Sequence, residues 1–245
     1  MEQKYGLQLY SVRDAMEADF ENALKQVAEM GYTYVEFAGF FDRTAEEVKA
    51  LLEKYNLIVC STHSHINGLR PEVIEETIAY HKAIGNTHYI LPSIFMSTKE
   101  KLEESIEIIN YAQPILEAAG IKLSFHNHSR EFEITPWGTT VHGELEHRTN
   151  IGFQIDTFWA WNANTDPIQV MERLKDRITT IHLKDGFKGG KGIPLGEGDA
   201  PVAAVRKKAI EMGLYMVVES ESLTPSGLDE AQRCIKYLRS LDAED

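Results

Sequence analysis

Cysteine is nearly absent: Cys60 and Cys234 are the only two, and they lie far apart in no ligand-like spacing. That argues against a disulfide framework or a thiolate zinc site and leaves two ordinary thiols. Long apolar runs are also missing, since no stretch reaches the roughly 20 residues that a membrane span needs. The opening "MEQKYGLQLYSVRD" has no charged segment leading into an apolar one, so no export signal is read and a cytoplasmic location is expected. Basic residues are in the minority, 25 against 38 acids, for a formal net charge of -13. A chain of that sign is not drawn to nucleic acid or to an anionic membrane, so the expected partner is a small molecule reached through a cleft.

What is present is a repeated pattern. With 43% hydrophobic residues over 245 positions the chain can bury a substantial core, and disorder is not expected. Short apolar runs that read as strands fall at 4–10, 32–39, 57–64, 87–92, 121–128, 151–156, 178–185 and 215–222. Amphipathic helical patterns lie between them, at 19–31, 44–56, 70–85, 98–120, 166–176, 201–213 and 229–241, several ending in Gly or Asn. The segment 138–148, "GTTVHGELEHR", carries the weakest helical pattern. Alternating strands and helices force parallel pairing with right-handed crossovers, and eight such units in one chain of this length predict a single-domain α/β protein, a closed (β/α)₈ TIM barrel over 1–245. An open doubly wound sheet is the alternative; it is disfavoured because "LYSVRDAMEAD" after the first strand lacks a glycine-rich phosphate turn.

Alternation along barrel strands sorts the polar residues. In "IKLSFHNHSREFE" (121–133) Ile121, Leu123 and Phe125 share one face, and Ser124, His126 and His128 share the other. The next three strands repeat the arrangement: Gln154 and Asp156, then His182 and Lys184, then Glu219 and Glu221, are predicted to point inward. Gln8, Tyr10, Glu36, His63 and His65 from the first three strands add to the lining as candidate substrate contacts, and Trp159 and Trp161, just beyond Asp156, offer rings either for stacking on a substrate or for packing in the core or an oligomer contact. His126, Asp156, His182 and Glu219 thus converge at the C-terminal ends of four strands, where barrel sites lie. Acids and imidazoles buried together need a common cation, and this donor set suits one divalent ion such as manganese, zinc, cobalt or iron. Taken singly, each of these residues is more often a hydrogen-bonded core side chain or a helix cap.

These motifs resemble the xylose isomerase-like TIM-barrel superfamily of sugar isomerases and epimerases, which includes inosose dehydratase and the endonuclease IV group. "GLQLYSVRD", "YVEFAG", "FHNHSREFE", "DTFW", "IHLKDG", "PLGEGD" and "VVESES" carry the resemblance over nearly the whole chain. It implies one divalent metal held by Glu, Asp, His and Glu from strands five to eight, which map onto His126, Asp156, His182 and Glu219. The first position is a departure. Ketose epimerases of this kind use two metal-bound glutamates on opposite faces of the sugar, so a two-sided exchange here would require Glu131 or Glu133 to turn inward. They also tend to carry a histidine where this chain has Trp159.

The resemblance implies proton abstraction beside a carbonyl, with Glu219 as base and His128 and Lys184 as groups that protonate an oxygen or a leaving hydroxyl. Isomerisation or epimerisation of a sugar derivative is the leading expectation, and elimination from a keto-sugar, keto-glycoside or inosose is the alternative. The run 186–201, "GFKGGKGIPLGEGDAP", reads as a mobile loop over the site, with Lys188 and Lys191 either free for an acidic group or merely solvated. An endonuclease would need more metal ligands and a basic track, and a non-catalytic sugar binder would gain nothing from the inward acids. A homodimer is compatible with the exposed loop aromatics.

Overall fold

Each apolar run pairs with its neighbours in the computed structural model, which describes residues 3–244. The strands are β1 (Gly6–Gln8), β2 (Tyr34–Ala38), β3 (Ile58–His63), β4 (His88–Leu91), β5 (Lys122–His126), β6 (Gly152–Asp156), β7 (Ile178–Leu183) and β8 (Tyr215–Val218). They run parallel in sequence order and close, with Gly6 opposite Val217 and Leu7 opposite Val218. An open sheet would leave β1 and β8 apart, so the protein is a single-domain (β/α)₈ barrel. Most of the strands stop short of the apolar runs that announce them. His128, Lys184, Glu219 and Glu221 therefore stand just past strand ends, at the C-terminal rim.

The helices are α1 (Arg13–Ala18), α2 (Phe20–Glu29), α3 (Ala45–Tyr55), α4 (Ile74–Ala83), α5 (Lys99–Ala118), α6 (Val141–Arg148), α7 (Thr157–Asn162), α8 (Pro167–Arg173), α9 (Val202–Met212) and α10 (Gly227–Glu244). Local chemistry sets their ends. Thr44 and Glu47 form a reciprocal capping box on α3, and Asn56 takes the left-handed conformation that stops it. The weak pattern at 138–148 does fold as a helix, α6, because Thr140 caps it by accepting from Gly143 N. The short helices α1 and α7 have no counterpart among the expected helical segments. In α7 the dense aromatics of "TFWAWN" hide the helical period, while Asp156 supplies its cap.

The outward faces of the strands, including Leu7, Val35, Phe37, Phe125, Phe153, Ile155, Leu183 and Val218, are buried against the helices in one continuous core. Each such side chain contributes about 1.5–3 kcal/mol when fully buried. The barrel interior is different. Gln8, Glu36, Ser61, Ser124, Gln154, Thr180 and His182 are all fully buried. The apolar layers common inside such barrels are here replaced by a hydrogen-bonded polar floor beneath the rim.

One buried histidine outside this floor makes stability depend on pH. His81 on α4 lies among the rings of Phe40, Tyr80 and Tyr89, and its Nδ1 accepts from Asn86 Nδ2 at 2.9 Å. Burial pushes its imidazole down from 6.5 to about 4. The unfolded chain then takes up the proton first, so the contribution is complete above pH 6.5 and lost as pH falls towards 4. The loss is on the order of 3 kcal/mol. Urea midpoints measured across that window should fall on acidification, with a shallower slope in His81→Leu; equal slopes would count against His81 as the source.

Candidate metal centre

The register of β5 to β8 builds the cluster. Asp156 pairs with His182 across β6 and β7, His126 pairs with Gln154, and Glu219 follows the last paired residue of β8. One donor atom from each of His126, Asp156, His182 and Glu219 lies within 4.8 Å of the others, and all four residues are buried. His63 joins His126 and His182 in an overlapping group.

The polar atoms of this cluster are incompletely satisfied. Both ring nitrogens of His126, and Asp156 Oδ2, are buried without a hydrogen-bond partner. Asp156 Oδ1 is taken by Trp159 N at 2.8 Å, which leaves Oδ2 free for the cluster. His182 Nε2 is 2.6 Å from Glu36 Oε1, a group that only accepts when ionised. The other nitrogen, Nδ1, stands 3.1 Å from Glu219 Oε2 and 3.7 Å from Asp156 Oδ2. A lone pair facing two carboxylates is repulsive unless a proton or a metal cation lies between them. The donor set therefore fits a divalent ion, with imidazole nitrogens and carboxylate oxygens in a dry pocket.

Electrostatics agree with that fit. Burial pushes the His126 imidazole down to about 3, so it is neutral and can offer a lone pair. Burial alone would raise Asp156 and Glu219, but the Lys184 ammonium, aided by neighbouring histidines, holds both below the usual carboxylate range. Burial would likewise lower His182, yet the carboxylates of Glu36 and Glu219 raise it well above its ordinary value, so without an ion a proton stands on Nδ1 where a bound cation would replace it.

Lys184 itself is fixed. Its Nζ lies 2.9 Å from Glu219 Oε2, 2.7 Å from Glu221 Oε1 and 3.6 Å from Asp156 Oδ2, and it sits over the Trp159 ring. Burial disfavours the charge, but these carboxylates raise the ammonium above its ordinary range. Sequence alternation offers Lys184 as an acid; the structure surrounds its ammonium with three carboxylates, the arrangement of a counter-ion. A side chain at Gly192 would collide with it, since a Cβ there would come within 2.5 Å of Lys184 Cε.

A cavity of about 400 Å³ opens onto the cluster, lined by Tyr10, His63, His126, His128, Glu219 and Glu221. Ala38 and Pro92 add an apolar patch to the same wall. Tyr10, His63 and His128 are thus where the alternation placed them. Five other expected contacts, Gln8, Glu36, His65, Trp159 and Trp161, are not on this wall. Gln8 and Glu36 lie below it, joined by a 2.6 Å hydrogen bond, because their strands place them one level deeper in the barrel. His65 turns aside and its Nδ1 accepts from Asn67 N, capping a short turn. Trp159 is held by the Asp156 cap and by Lys184. Glu221, which alternation put on the inner face, lines the cavity as a further carboxylate.

Neither candidate for the missing first glutamate turns inward. Glu131 is buried, with Oε2 accepting from His128 N and Oε1 from Arg130 Nε. Glu133 is exposed. His126 alone occupies the strand-five position.

The expected mobile loop is pinned. Asp185 accepts from the backbone N–H groups of Gly186, Gly196, Gly198 and Ala200. Lys188 is also occupied, donating to Trp161 O and Asn164 Oδ1. Hydrogen bonds to a carboxylate are worth more than neutral ones, so Asp185→Ala should cost about 3 kcal/mol. Limited proteolysis and thermal melting test this; cleavage within 186–201 that does not accelerate would show that other contacts hold the loop.

Residues 24–241 match the family described as xylose isomerase-like TIM barrel. The chain belongs to this family. It is 25% identical over 193 residues to the 2-oxo-tetronate isomerase of Haemophilus influenzae, covering 68% of this chain and 74% of that one. It is 22% identical over 189 residues to the inosose dehydratase of Geobacillus kaustophilus, covering 67% and 61%. A crystal structure of a sugar phosphate isomerase/epimerase from Parabacteroides distasonis superposes with a TM-score of 0.84 at 23% identity, covering 97% of this chain and 98% of that one. Among the described residues, no helix of this xylose isomerase-like barrel is long and apolar enough to cross a membrane.

Proposed function

We propose that this barrel is a divalent-metal-dependent enzyme that removes a proton from carbon beside a carbonyl of a sugar derivative, as an isomerase of the sugar isomerase/epimerase kind. The observation that carries the reading is the cluster of His126, Asp156, His182 and Glu219, in which both ring nitrogens of His126 and Asp156 Oδ2 are buried without a hydrogen-bond partner where the four converge. Relatives named as an isomerase and a dehydratase support the same class of chemistry.

When bound, a divalent ion would polarise the carbonyl and stabilise charge on the adjacent oxygen. The residues do the rest. Glu219 lines the cavity, and Lys184 keeps its carboxylate ionised and oriented, so Glu219 takes the proton from carbon. For isomerisation His128, on the same wall, protonates the carbonyl oxygen and accepts the proton of the neighbouring hydroxyl, while Glu219 delivers its proton to the former carbonyl carbon. Tyr10, Ala38 and Pro92 offer the apolar patch on which a sugar's C–H face rests.

The lining also bears on substrate charge. Among the described residues, no Lys or Arg lines the cavity, which instead carries Glu219 and Glu221. Lys184, the cation behind that wall, is already shared among three carboxylates. An uncharged keto-sugar or cyclitol fits this wall better than a phosphate ester.

A second reading is favoured by one observation: His126 stands where a second catalytic glutamate would be, while Glu131 is hydrogen-bonded elsewhere and Glu133 is exposed. Inversion at one carbon needs proton-transfer groups on both faces, whereas elimination needs one base and one acid. Loss of a hydroxyl β to the carbonyl, with Glu219 as base and His128 as acid, is that reading. Incubation of metal-loaded protein with neutral ketoses, keto-glycosides and inososes in D₂O separates the two. Deuterium at the α-carbon of an isomerised sugar supports the isomerase, release of water to an unsaturated product supports the dehydratase, and no exchange with any of them counts against both.

A further inference from the structure

Beneath the cluster, and outside the cavity wall, one carboxylate gathers the polar floor. Glu36 of β2 is fully buried. Its Oε1 accepts from Gln8 Nε2 and stands against His182 Nε2, each at 2.6 Å. Its Oε2 accepts from Gln154 Nε2 at 2.6 Å and from Ser61 Oγ. His63 Nε2 is 3.2 Å from Oε1 but 2.7 Å from Gln154 Oε1. Donors from β1, β3, β6 and β7 therefore converge on two oxygens. Only a group that accepts and never donates satisfies them together; an amide at this position would turn its NH₂ against other donors.

We propose that Glu36 is the positioning residue of the candidate metal centre: it holds His182 in the tautomer with the proton on Nε2, so that the Nδ1 lone pair is presented to the ligand cluster. This rests on the metal-centre reading above. Since Glu36 cannot donate, the proton in its bond to His182 is the imidazole's, and Nδ1 is the atom left beside Asp156 and Glu219. The opposite tautomer would put a hydrogen where the ligand atom is needed. Gln8, Ser61 and Gln154 keep the carboxylate from rotating away, so four strands contribute to the aim of one ring. Carboxylates behind metal-bound histidines typically account for 10–100-fold in metal affinity.

The test is calorimetric titration of zinc chloride into metal-free wild-type protein and into Glu36→Gln, beside ¹H–¹⁵N spectra of the zinc-loaded wild type with the His182 signals assigned through His182→Gln. The expected result is binding about 10–100-fold weaker in Glu36→Gln, with the His182 proton on Nε2 in the wild type. Equal affinities, or a His182 proton on Nδ1 in the zinc-loaded wild type, overturn the positioning role while leaving the metal centre standing. Absence of zinc binding by the wild type overturns the metal-centre reading itself, and this proposal with it. Should Glu36→Gln fail to fold, the wild-type spectrum decides the matter alone.

Discussion

Metal analysis of the purified wild type after zinc or manganese loading should return about one divalent ion per chain, and His182→Ala and Asp156→Asn should each return almost none. The expected loss in affinity exceeds the roughly 100-fold typical of residues that merely support a ligand, because each variant removes a donor atom. Asp156→Asn is the sharper of the two. The amide oxygen can still accept from Trp159 N and cap α7, so the helix is retained while the charge goes. Some stability should be lost, since the variant gives up a carboxylate whose charge Lys184 favours. A variant that stays folded but carries no metal locates the ion. Full metal content in both variants would place the ion elsewhere and leave the unpartnered atoms of His126 unexplained.

The second large effect belongs to Glu219→Gln. If Glu219 takes the proton from carbon, solvent-deuterium exchange into substrate should fall by about 10²–10⁴-fold, the usual span for removing a general base. Because Glu219 is also a candidate ligand, exchange has to be compared at saturating metal. Under that condition a change confined to kcat identifies the base, whereas a defect that excess metal repairs reduces Glu219 to a ligand. Exchange that survives intact would transfer the role to Glu221, which lines the same cavity and shares Lys184.

Much of this site is readable from residue order, and the reason is local. Strand alternation depends only on backbone geometry, so the inward placement of Asp156, His182 and Glu219 follows from counting by twos along apolar runs. The same rule applied past the strand ends is less dependable. It places His128 correctly but fails for His65, where a neighbouring backbone N–H offers the imidazole a closer partner. It also says nothing about depth. Gln8 and Glu36 are inward as expected, yet they lie beneath the cavity and not in its wall, because depth is set by how the strands are staggered around the barrel.

Charge partnerships are the other gap. Lys184 reads in isolation as a free ammonium near a site, but three carboxylates from β6 and the segment after β8 turn it into a fixed counter-ion. The segment 186–201 has the glycine content of a mobile loop, but a single side chain, Asp185, collects four of its backbone donors. Glu131, three residues past His128, is spent on the turn that follows. By itself the sequence determined the closed parallel barrel, the rim on which the site lies and the four residues that converge there, since these depend on periodicity and the short range of backbone preferences. Only the tertiary structure decided which polar groups face the cavity and which support it from below, because hydrogen bonds between strands far apart in sequence exist only once the barrel has closed.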